Sequence, residues 1–397
     1  MTRYYNIRGL DLSLFRDGRP FTADSGGGTV QSFPIPAPQT VAGFVRTQLG
    51  KATSVDWTDS TAVADLRNIS IRGPLLQRDQ EGIFVAPRDA TVVQDDTGKP
   101  VVVALKPVTT PAAGTTNLPG DLLPLSVPQL GKPMPGYGSW PAIAPALRLA
   151  MSHCSSAEAG HEPMPGYGSW PASALEQWLT VPGSLNTVER VLLPQPEERM
   201  HVRIARETLS GEDGQLYGVS YTAWDSKHRS GTGFHTWSLQ VAVDGTAHDL
   251  APVGVLGGEN RLGAVSDSTA AAFTASPAIS SALRSAKRIR LILATPALFD
   301  GGWFAAWMND GVIPGTSVRV KLRAAAVGRR QAITGWDYQL RQPKPVQLAV
   351  PAGSVYFFDI CDGDASDLTT QAWLRSVSST PEARLDGFGL ALWGIWE

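Results

Sequence analysis

Alternation of apolar and polar residues predicts that strands dominate this chain. Residues 200–206 place Val202 and Ile204 on one face of a strand and His201 and Arg203 on the other. Residues 237–243 and 288–294 are also typical of strands. Short β-branched runs separated by 40 Gly and 30 Pro indicate many strands, frequent turns and few long helices. The pattern therefore predicts an α+β architecture.

The clearest alternation lies in residues 317–323. Val318, Val320 and Leu322 share one face, which we expect to be core. The opposite face carries three basic residues, Arg319, Lys321 and Arg323. Residues 281–345 hold eleven basic and three acidic residues, so this part of the chain could face an anionic polymer. An ordinary solvated strand face remains the alternative.

The N-terminal region predicts a strand, a loop and a helix. A strand is expected over residues 7–15, with an irregularity at Gly9 and a turn over residues 16–20. A Gly-rich loop at 25–28 and three spaced prolines follow, and Thr40 is expected to cap a helix that ends at Gly50. Free amides at Gln39 and Thr40, with Arg46 further along the helix, could hold a phosphate.

Residues 109–196 are rich in Pro, Gly, Ser and Ala, which indicates an insertion or a region between domains. The segment PMPGYGSWPA occurs twice without change, at residues 133–142 and 163–172. Identical copies suggest recent local duplication, and two copies are too few for a solenoid. Either the copies form a pair of aromatic docking elements or one of them is a duplicated loop.

Composition and charge exclude several classes of protein. With 43% hydrophobic and 18% charged residues in 397, the chain is globular and long enough for two or three domains. A net charge of -2 excludes nucleic-acid binding by bulk charge, so any such binding must be local. Of 34 basic residues 26 are Arg, which grips phosphate and stacks on bases, although a GC-rich genome would give the same bias.

Cysteine content and the N-terminal sequence predict a cytoplasmic protein. Cys154 and Cys361 form no CxxC motif, which argues against a zinc ribbon and against a disulfide framework. The N-terminus lacks the apolar core of a signal peptide, and no apolar stretch is long enough to span a bilayer. We therefore expect no membrane association.

Known catalytic and cofactor motifs are missing from the sequence. It contains no P-loop, HExxH or GxSxG motif, and the six histidines show no metal-ligand spacing, so neither cofactor nor metal is expected. Gly387 and Gly389 lie too close to the C-terminus for a dinucleotide fold, and instead suggest a close approach of the backbone to a helix or a phosphate. His201 beside Arg203 could support metal-independent RNA cleavage, although a hydrogen-bonded strand histidine is the favoured explanation.

Eight segments, in order along the chain, together resemble one protein family. These segments are LFRDGRPF (14–21), FPIPAPQTVAGFVRTQL (33–49), RMHVRIARETLSGEDGQLY (199–217), LGGENR (256–261), LILATPALF (291–299), TGWD (334–337), VPAGSVYFF (350–358) and GFGLALWG (387–394). The family is that of third subunits of the Cmr complex, the type III-B CRISPR effector, within the repeat-associated mysterious protein (RAMP) superfamily.

The resemblance implies two tandem ferredoxin-like (RRM-like) domains. They would occupy residues 1–108 and 197–397, with the Pro/Gly-rich insertion at 109–196 and a C-terminal Gly-rich loop. The segment SALEQWLTVP follows the second copy of PMPGYGSWPA, so the second copy resembles the inherited element, and a role for the first is in doubt.

The resemblance also implies a non-catalytic subunit that binds crRNA. Such a subunit caps the 5′ end of the complex, holds the repeat-derived 5′ tag, and contacts the Cas10-type large subunit and a neighbouring backbone RAMP subunit, with target RNA reached indirectly. RNA-facing positions carried over from the family motifs are Arg16, Arg19, Gln39, Thr40, Arg46, Glu259, Asn260, Arg261, Gly387 and Gly389. Residues added from the strand patterns are His201, Arg203, Arg319, Lys321 and Arg323.

Two alternatives to this function remain open. One is a Cas6-like, metal-independent endoribonuclease on the same fold, with His201 as general acid or base. The other is a scaffold that docks proteins while its neighbours hold the RNA. Under the scaffold hypothesis, charge reversal of the basic stripe, which consists of Arg319, Lys321 and Arg323, would leave crRNA affinity unchanged.

Overall fold

The structure, a computed structural model, is a mixed α/β protein built mostly of antiparallel strands, as the pattern predicts. It describes residues 1–16, 29–94, 99–108, 122–123, 125–126, 132–133, 167–194, 196–228, 231–337 and 342–396. Within these residues no helix has the length and apolar character needed to cross a membrane.

The strands, in chain order, are β1 Thr2–Gly9, β2 Thr29–Val30, β3 Ser70–Arg78, β4 Glu81–Val85, β5 Ala90–Gln94, β6 Pro100–Ala104, β7 Lys106–Pro107, β8 Leu125–Ser126, β9 Lys132–Pro133, β10 Ser169–Pro171, β11 Glu197–Ile204, β12 Gly211–Tyr221, β13 Asp225–Lys227, β14 Phe234–Asp244, β15 Val253–Val255, β16 Leu262–Asp267, β17 Arg288–Leu293, β18 Asn309–Val312, β19 Arg319–Ala326, β20 Gln331–Ile333, β21 Trp336–Asp337, β22 Gln342–Pro343, β23 Gln347–Ala349, β24 Val355–Asp362 and β25 Ala391–Ile395. The α-helices are α1 Pro38–Ala52, α2 Ser60–Asn68, α3 Ala172–Thr180, α4 Pro277–Arg284, α5 Asp367–Thr370 and α6 Pro381–Leu385. Two 3-10 turns span Ala271–Phe273 and Ala306–Met308.

The chain divides into two compact units, and each is assembled from separate stretches of sequence. The first unit comprises Met1–Gln80, Leu193–Thr269 and Ala332–Leu348. The second comprises Glu81–Leu192, Ala270–Gln331 and Ala349–Glu397. The domain limits expected at residues 108 and 196 concern which parts of the chain fold independently. They stay predictions.

A sheet with the order β3-β14-β1-β16-β15 organises the first unit. Strand β1 lies antiparallel to both neighbours, with Tyr5 opposite Val241 of β14 and Asp267 of β16. Apolar side chains at helical spacing on α1 are buried, and α1 packs against β3. The core therefore forms between this helix and the sheet, as amphipathic patterning predicts.

Two local predictions in this unit need correction. The strand expected over residues 7–15 ends at Gly9, the residue expected to be merely irregular. A Cβ at Gly9 would lie 2.1 Å from Trp224 Nε1, so this packing requires glycine. Helix α1 begins at Pro38 with Ala37 as the residue before it, and Thr40 is not the cap. Proline's fixed φ suits the first helical turn, which explains the earlier start.

The hairpin of β11 and β12 forms a second, smaller sheet in the first unit, and β2 pairs with β12 in parallel. The predicted strand at 200–206 is confirmed and lies two to three residues earlier. Alternation usually marks one buried face, yet Met200, Val202 and Ile204 are 66%, 44% and 49% exposed. Both faces of β11 are thus accessible.

The second unit is organised by a sheet with the order β18-β19-β24-β17-β25. Strand β17 lies antiparallel to β24 and β25, and both β17 and β24 are largely buried. The predicted alternation on β19 is confirmed, since Val320 and Leu322 are buried while Arg319 is exposed. The predicted strand at 288–294 is β17.

The second copy of PMPGYGSWPA contributes directly to this unit. Its described part forms β10, where Trp170 pairs with Phe84 of β4, and then runs into α3. The Trp170 side chain is fully buried and meets Trp178 edge to face at 5.5 Å. Except for Pro133 at the end of β9, the first copy lies outside the described residues.

Candidate nucleic-acid interface

A group of aromatic and charged side chains gathers around Tyr221 in the first unit. The His201 and Tyr217 rings, opposite each other on β11 and β12, stack at 5.4 Å with 16° between their planes. Tyr221 OH lies 3.0 Å from His201 Nε2 and donates to Glu259 Oε2 at 2.5 Å. The Arg261 guanidinium lies over the Tyr221 ring, 4.8 Å from its centroid. We call His201, Tyr217, Tyr221, Glu259 and Arg261 the Tyr221 cluster.

The loop that carries Glu259 and Arg261 is held rigidly against the segment before Arg16. Gly257 has φ +79°, and a Cβ there would lie 2.5 Å from the Leu14 carbonyl oxygen. The Gly258 amide donates to that same oxygen at 2.8 Å. This close approach of two backbones is possible only with glycine at position 257, the first of the two glycines in LGGENR.

The remainder of that loop is strained, and its geometry presents polar side chains outward. Glu259 and Asn260 both have positive φ, 55° and 54°. Two backbone hydrogen bonds close the turn, from the Leu256 amide to the Arg261 carbonyl and from the Arg261 amide to the Gly258 carbonyl. Backbone strain of this kind persists only where the surroundings hold it, and it is common at binding sites.

Arg16 lies at the end of the same segment. It is exposed and forms an isolated bridge with Ser32. The Ser32 hydroxyl accepts from the Phe15 amide at 2.9 Å and lies 2.9 Å from the Thr222 hydroxyl, directly after Tyr221. A small core of Leu12, Leu14, Val219 and Tyr221 supports this arrangement. Arg19 lies outside the described residues.

Three segments that are far apart in sequence thus meet in one place. The chain near Arg16, the β11–β12 hairpin with His201, and the LGGENR loop with Arg261 are joined by contacts that span up to 250 residues. His201, Glu259 and Arg261 were predicted from the sequence, whereas Tyr217 and Tyr221 were not. Tyrosines at positions 217 and 221 carry no pattern of their own. The pairing register places Tyr217 opposite His201, and the Tyr221 side chain reaches His201 from its position opposite Glu197.

The electrostatics of the cluster keep Tyr221 protonated and Arg261 charged. Burial, together with the hydrogen bond to Glu259, raises the pKa of Tyr221. Interaction with the Tyr221 hydroxyl is the main cause that raises the pKa of Arg261, and Asp11 and Glu259 add to it. The Leu12 amide and Arg261 lower the pKa of Asp11, whose carboxylate accepts from Arg261 at 2.7 Å. The cluster therefore offers a cation stacked on an aromatic ring.

Neighbouring arginines are held in exposed ion pairs. Arg199 contacts Glu197 at 2.7 Å and Arg203 contacts Glu212 at 3.3 Å. Exposed pairs of this kind contribute only about 0–1 kcal/mol, so a phosphate can replace the carboxylate at little cost. Stacked rings beside displaceable arginine pairs are the ingredients of single-stranded RNA binding.

The predicted phosphate site at helix α1 is different in character. Gln39 Nε2 donates to the Thr334 carbonyl at 2.8 Å, and Arg46 Nη2 donates to the Ile69 carbonyl at 2.9 Å. The Thr40 amide bonds back to the Ala37 carbonyl at 2.9 Å. These groups have protein partners that hold the helix in place, and an RNA contact for them stays a prediction.

The basic stripe belongs to the second unit and faces acidic residues. Arg319 pairs with Asp310 at 3.4 Å, and Arg323 with Asp359 at 3.3 Å. Lys321 lies opposite Asp359 in the β19–β24 register. The excess of basic residues in this stretch of sequence is thus partly balanced by carboxylates in the fold, and RNA contact by the stripe stays a prediction.

The C-terminal glycines have a packing role in the second unit. Gly387 follows α6 with φ +86°, the left-handed conformation usual after a helix end. At Gly389 a Cβ would lie 2.5 Å from Ser378 Oγ. Both glycines are buried, so the close backbone approach that they allow is to the protein itself, and their predicted RNA contact is untested.

One group of possible metal ligands occurs among the described residues. Asp79, His228 and His235 offer ligand atoms that all lie within 4.8 Å of one another. Sequence spacing gave no sign of such a group, because the three residues come from three different strand ends. The group shares no residue with the Tyr221 cluster.

Comparisons with known proteins identify the family. The family described as CRISPR-associated protein (Cas_Cmr3) matches residues 5–396. No curated protein matches the chain. Similar solved structures include the type III-B Cmr-beta bound to cognate target RNA and AMPPnP, at 15% identity and TM-score 0.45, covering 89% of this chain and 86% of that one. A Csm3-Csm4 subcomplex from the type III-A CRISPR-Cas interference complex is also similar, at 10% identity and TM-score 0.34, covering 91% and 94%.

The family match spans nearly the whole chain, including all eight motifs. The resemblance seen in the sequence is thereby confirmed. The chain belongs to the Cas_Cmr3 family of CRISPR-associated proteins.

Proposed function

We propose that this chain is a non-catalytic crRNA-binding subunit of a cytoplasmic type III-B effector. In this role it caps the 5′ end of the complex and holds the repeat-derived 5′ tag. Its partners are the Cas10-type large subunit and a neighbouring backbone RAMP subunit, and target RNA is reached indirectly. The observation that carries the proposal is the Tyr221 cluster, which joins two of the family motifs, 199–217 and 256–261, beside a third that begins at Leu14.

The arrangement of strands supports two ferredoxin-like domains. A ferredoxin-like βαββαβ fold is one of the supersecondary units that recur across proteins. The first unit contains the neighbouring strands β16-β1-β14-β3. If these four strands are numbered by their order in the chain, their order across the sheet is 4-1-3-2. In the second unit β25-β17-β24-β19 follow the same order. We infer from this agreement that each unit is one ferredoxin-like domain.

The Tyr221 cluster supports RNA binding through two kinds of contact. The stacked His201–Tyr217 pair can extend its stack to an unpaired base, which is worth about 1–3 kcal/mol per base. Arg199 and Arg203 can exchange an exposed carboxylate for a phosphate, and the exposed Arg16 can add a further phosphate contact. Both contacts suit single-stranded RNA, whose bases are free to stack.

The endoribonuclease alternative is not favoured. The matching family is that of Cmr complex subunits, and His201 Nε2 is engaged with a tyrosine hydroxyl that is itself bonded to Glu259. A stacked, hydrogen-bonded histidine is suited to holding a base. Cleavage of repeat RNA without a divalent metal, lost in His201→Ala, would establish the alternative instead.

The test of the proposal uses the chain co-purified with a Cas10-type large subunit. Labelled crRNA carrying its 5′ tag is titrated against the same RNA without the tag, and a gel follows the integrity of the RNA. We expect tag-dependent binding and intact RNA. Equal affinity for the two RNAs would overturn the capping role.

Two substitutions locate the contact on the Tyr221 surface. Arg16→Ala is expected to reduce the slope of log K against log salt by about 0.7, the value for one phosphate on a single strand. Tyr217→Ala is expected to weaken binding by about 1–3 kcal/mol, with the slope unchanged, because stacking involves no ion release. Binding is measured by fluorescence anisotropy at four or more salt concentrations.

The matched control is Arg67→Ala, an exposed arginine in the last turn of α2 that belongs to none of the predicted positions and lies outside the basic stretch 281–345. It changes the net charge by the same amount as Arg16→Ala. Equal slopes for the two variants would place the phosphate contact elsewhere. Charge reversal at Arg319, Lys321 and Arg323 then asks whether the second unit contributes.

A further inference from the structure

The first unit brings two histidines and one aspartate together at the end of β3. His235 Nδ1 lies 2.5 Å from Asp79 Oδ2, and the His228 and His235 rings are nearly parallel, with centroids 3.9 Å apart. One ligand atom from each residue can be chosen so that all three lie within 4.8 Å of one another. These residues lie outside every motif of the family resemblance.

The backbone fixes the position of Asp79. It follows β3 directly and has φ +50°, and Gln80 after it has φ +76°. The Asp79 amide donates to the Thr236 carbonyl at 2.9 Å, and Asp79 Oδ1 accepts from the Thr236 amide at 2.8 Å. One carboxylate oxygen is therefore engaged by the backbone beside His235, while the other faces the imidazole.

The two histidines are held by the β13–β14 hairpin. His235 lies on β14 opposite Ser226, and His228 comes directly after β13. The His228 amide donates to the Gly233 carbonyl at 3.2 Å, and the Gly231 amide donates to the His228 carbonyl at 3.0 Å. Gly233 has φ +82°, the left-handed conformation that favours glycine, and a Cβ there would be in ordinary van der Waals contact with His228 Nε2 at 3.7 Å.

The charge state of the group suits a cation. Aspartate is ordinarily a carboxylate at neutral pH, and the Asp79 oxygens accept from the Thr236 amide and face His235. No lysine or arginine forms an ion pair with these three residues in the part of the chain that the structure describes.

We propose that Asp79, His228 and His235 form a binding site for a first-row divalent transition metal, of which zinc is the best fit. Two imidazole nitrogens and one carboxylate oxygen are the ligands of open zinc sites, with a fourth position left for water or a partner. Ligand atoms around one zinc stand about 3.3 Å apart, given bond lengths of about 2.0–2.2 Å. His235 Nδ1 lies 2.5 Å from Asp79 Oδ2 and all three ligand atoms lie within 4.8 Å of one another, so coordination requires a small adjustment of these side chains.

The bound metal would join the end of β3 to the β13–β14 hairpin. Its ligands come from positions 79, 228 and 235, so the metal closes a loop of about 150 residues, and it would bind the folded chain far better than the unfolded one. This inference is independent of the proposed RNA-binding role, because it rests on none of the residues of the Tyr221 cluster.

The test is zinc titration of the full chain, prepared without a histidine tag and with Cys154 and Cys361 replaced by serine. We expect one zinc per chain by calorimetry and a higher melting temperature with zinc. His228→Ala and His235→Ala are each expected to weaken binding at least about tenfold, since even loss of an outer-shell partner costs that much. Cobalt is the spectroscopic probe, because its visible bands change when imidazole nitrogens coordinate it.

The matched control is His248→Ala, an exposed histidine outside the group. It should bind zinc like the parent. Asp79→Asn keeps an oxygen for the Thr236 amide and removes only the charge. If this variant binds zinc weakly but melts at an unchanged temperature without metal, Asp79 is a zinc ligand. Equal zinc affinity in the parent and all variants would overturn the proposal, whatever the stability of each variant. Binding of less than one zinc ion per parent chain would also overturn it.

Discussion

Asp89→Ala is expected to destabilise the protein by about 3–5 kcal/mol, more than any substitution on its surface. Asp89 is fully buried and pairs with the equally buried guanidinium of Arg290 on β17. Removal of the aspartate leaves a cation in the core without its counter-charge. Burial already lowers the pKa of Arg290, and Asp89 opposes that effect.

Several further contacts tie this ion pair to the rest of the second unit. Trp178 Nε1 donates to Asp89 Oδ1 at 2.9 Å, while Arg290 donates to the Trp178 carbonyl and lies 5.3 Å from the centre of its ring. The Leu105 amide donates to the Asp89 carbonyl at 2.7 Å. The Asp89 carboxylate thus links β17 and α3, and its main-chain carbonyl holds the chain after β6.

Chemical denaturation followed by tryptophan fluorescence measures this effect. The control is Asp310→Ala, which breaks the exposed pair with Arg319 and should cost no more than about 1 kcal/mol. The double variant Asp89→Ala with Arg290→Met should recover much of the loss, because no unpaired charge remains. Equal midpoints for Asp89→Ala and Asp310→Ala would contradict the assigned role.

Trp170→Ala is expected to cost about 3–5 kcal/mol, since it removes a fully buried indole from the second unit. The Trp170 ring packs edge to face on Trp178, beside the buried Arg290. Trp170 Nε1 has no hydrogen-bond partner among the described residues, so Trp170→Phe loses no such bond and should cost much less. The loss therefore reflects the cavity.

The duplicated segment supplies a matched control for this prediction. Trp140 occupies the same place in the first copy of PMPGYGSWPA that Trp170 occupies in the second. If only the second copy is the inherited element, Trp140→Ala should leave the denaturation midpoint unchanged. A comparable loss in both variants would show that the first copy also contributes to a core.

Much of the local structure was predictable from the sequence. Alternation located β11, β14, β17 and β19, because a period of two reports a strand whatever surrounds it. Apolar spacing located α1, although its first residue was misplaced, since proline and threonine both suit a helix start. The order of eight motifs identified the family without any structural information.

The accessible faces of β11 show the limit of such patterns. Val202 and Ile204 alternate with polar residues as a core strand would, yet both are exposed. Periodicity records which side chains share a face, and it carries no information about what covers that face. A strand with an exposed apolar face therefore has the same pattern as a strand with a buried one.

Sequence alone determined part of the secondary structure, the family and several residues of the candidate site, and the tertiary structure decided how those residues combine. Arg261 and Asp11 are 250 residues apart and in contact, as are Arg290 and Asp89 across 201. The metal-ligand group likewise joins Asp79 to His235 across 156 residues. Such contacts depend on strand order and register, which are set by packing of the whole core, so no local pattern could reveal them.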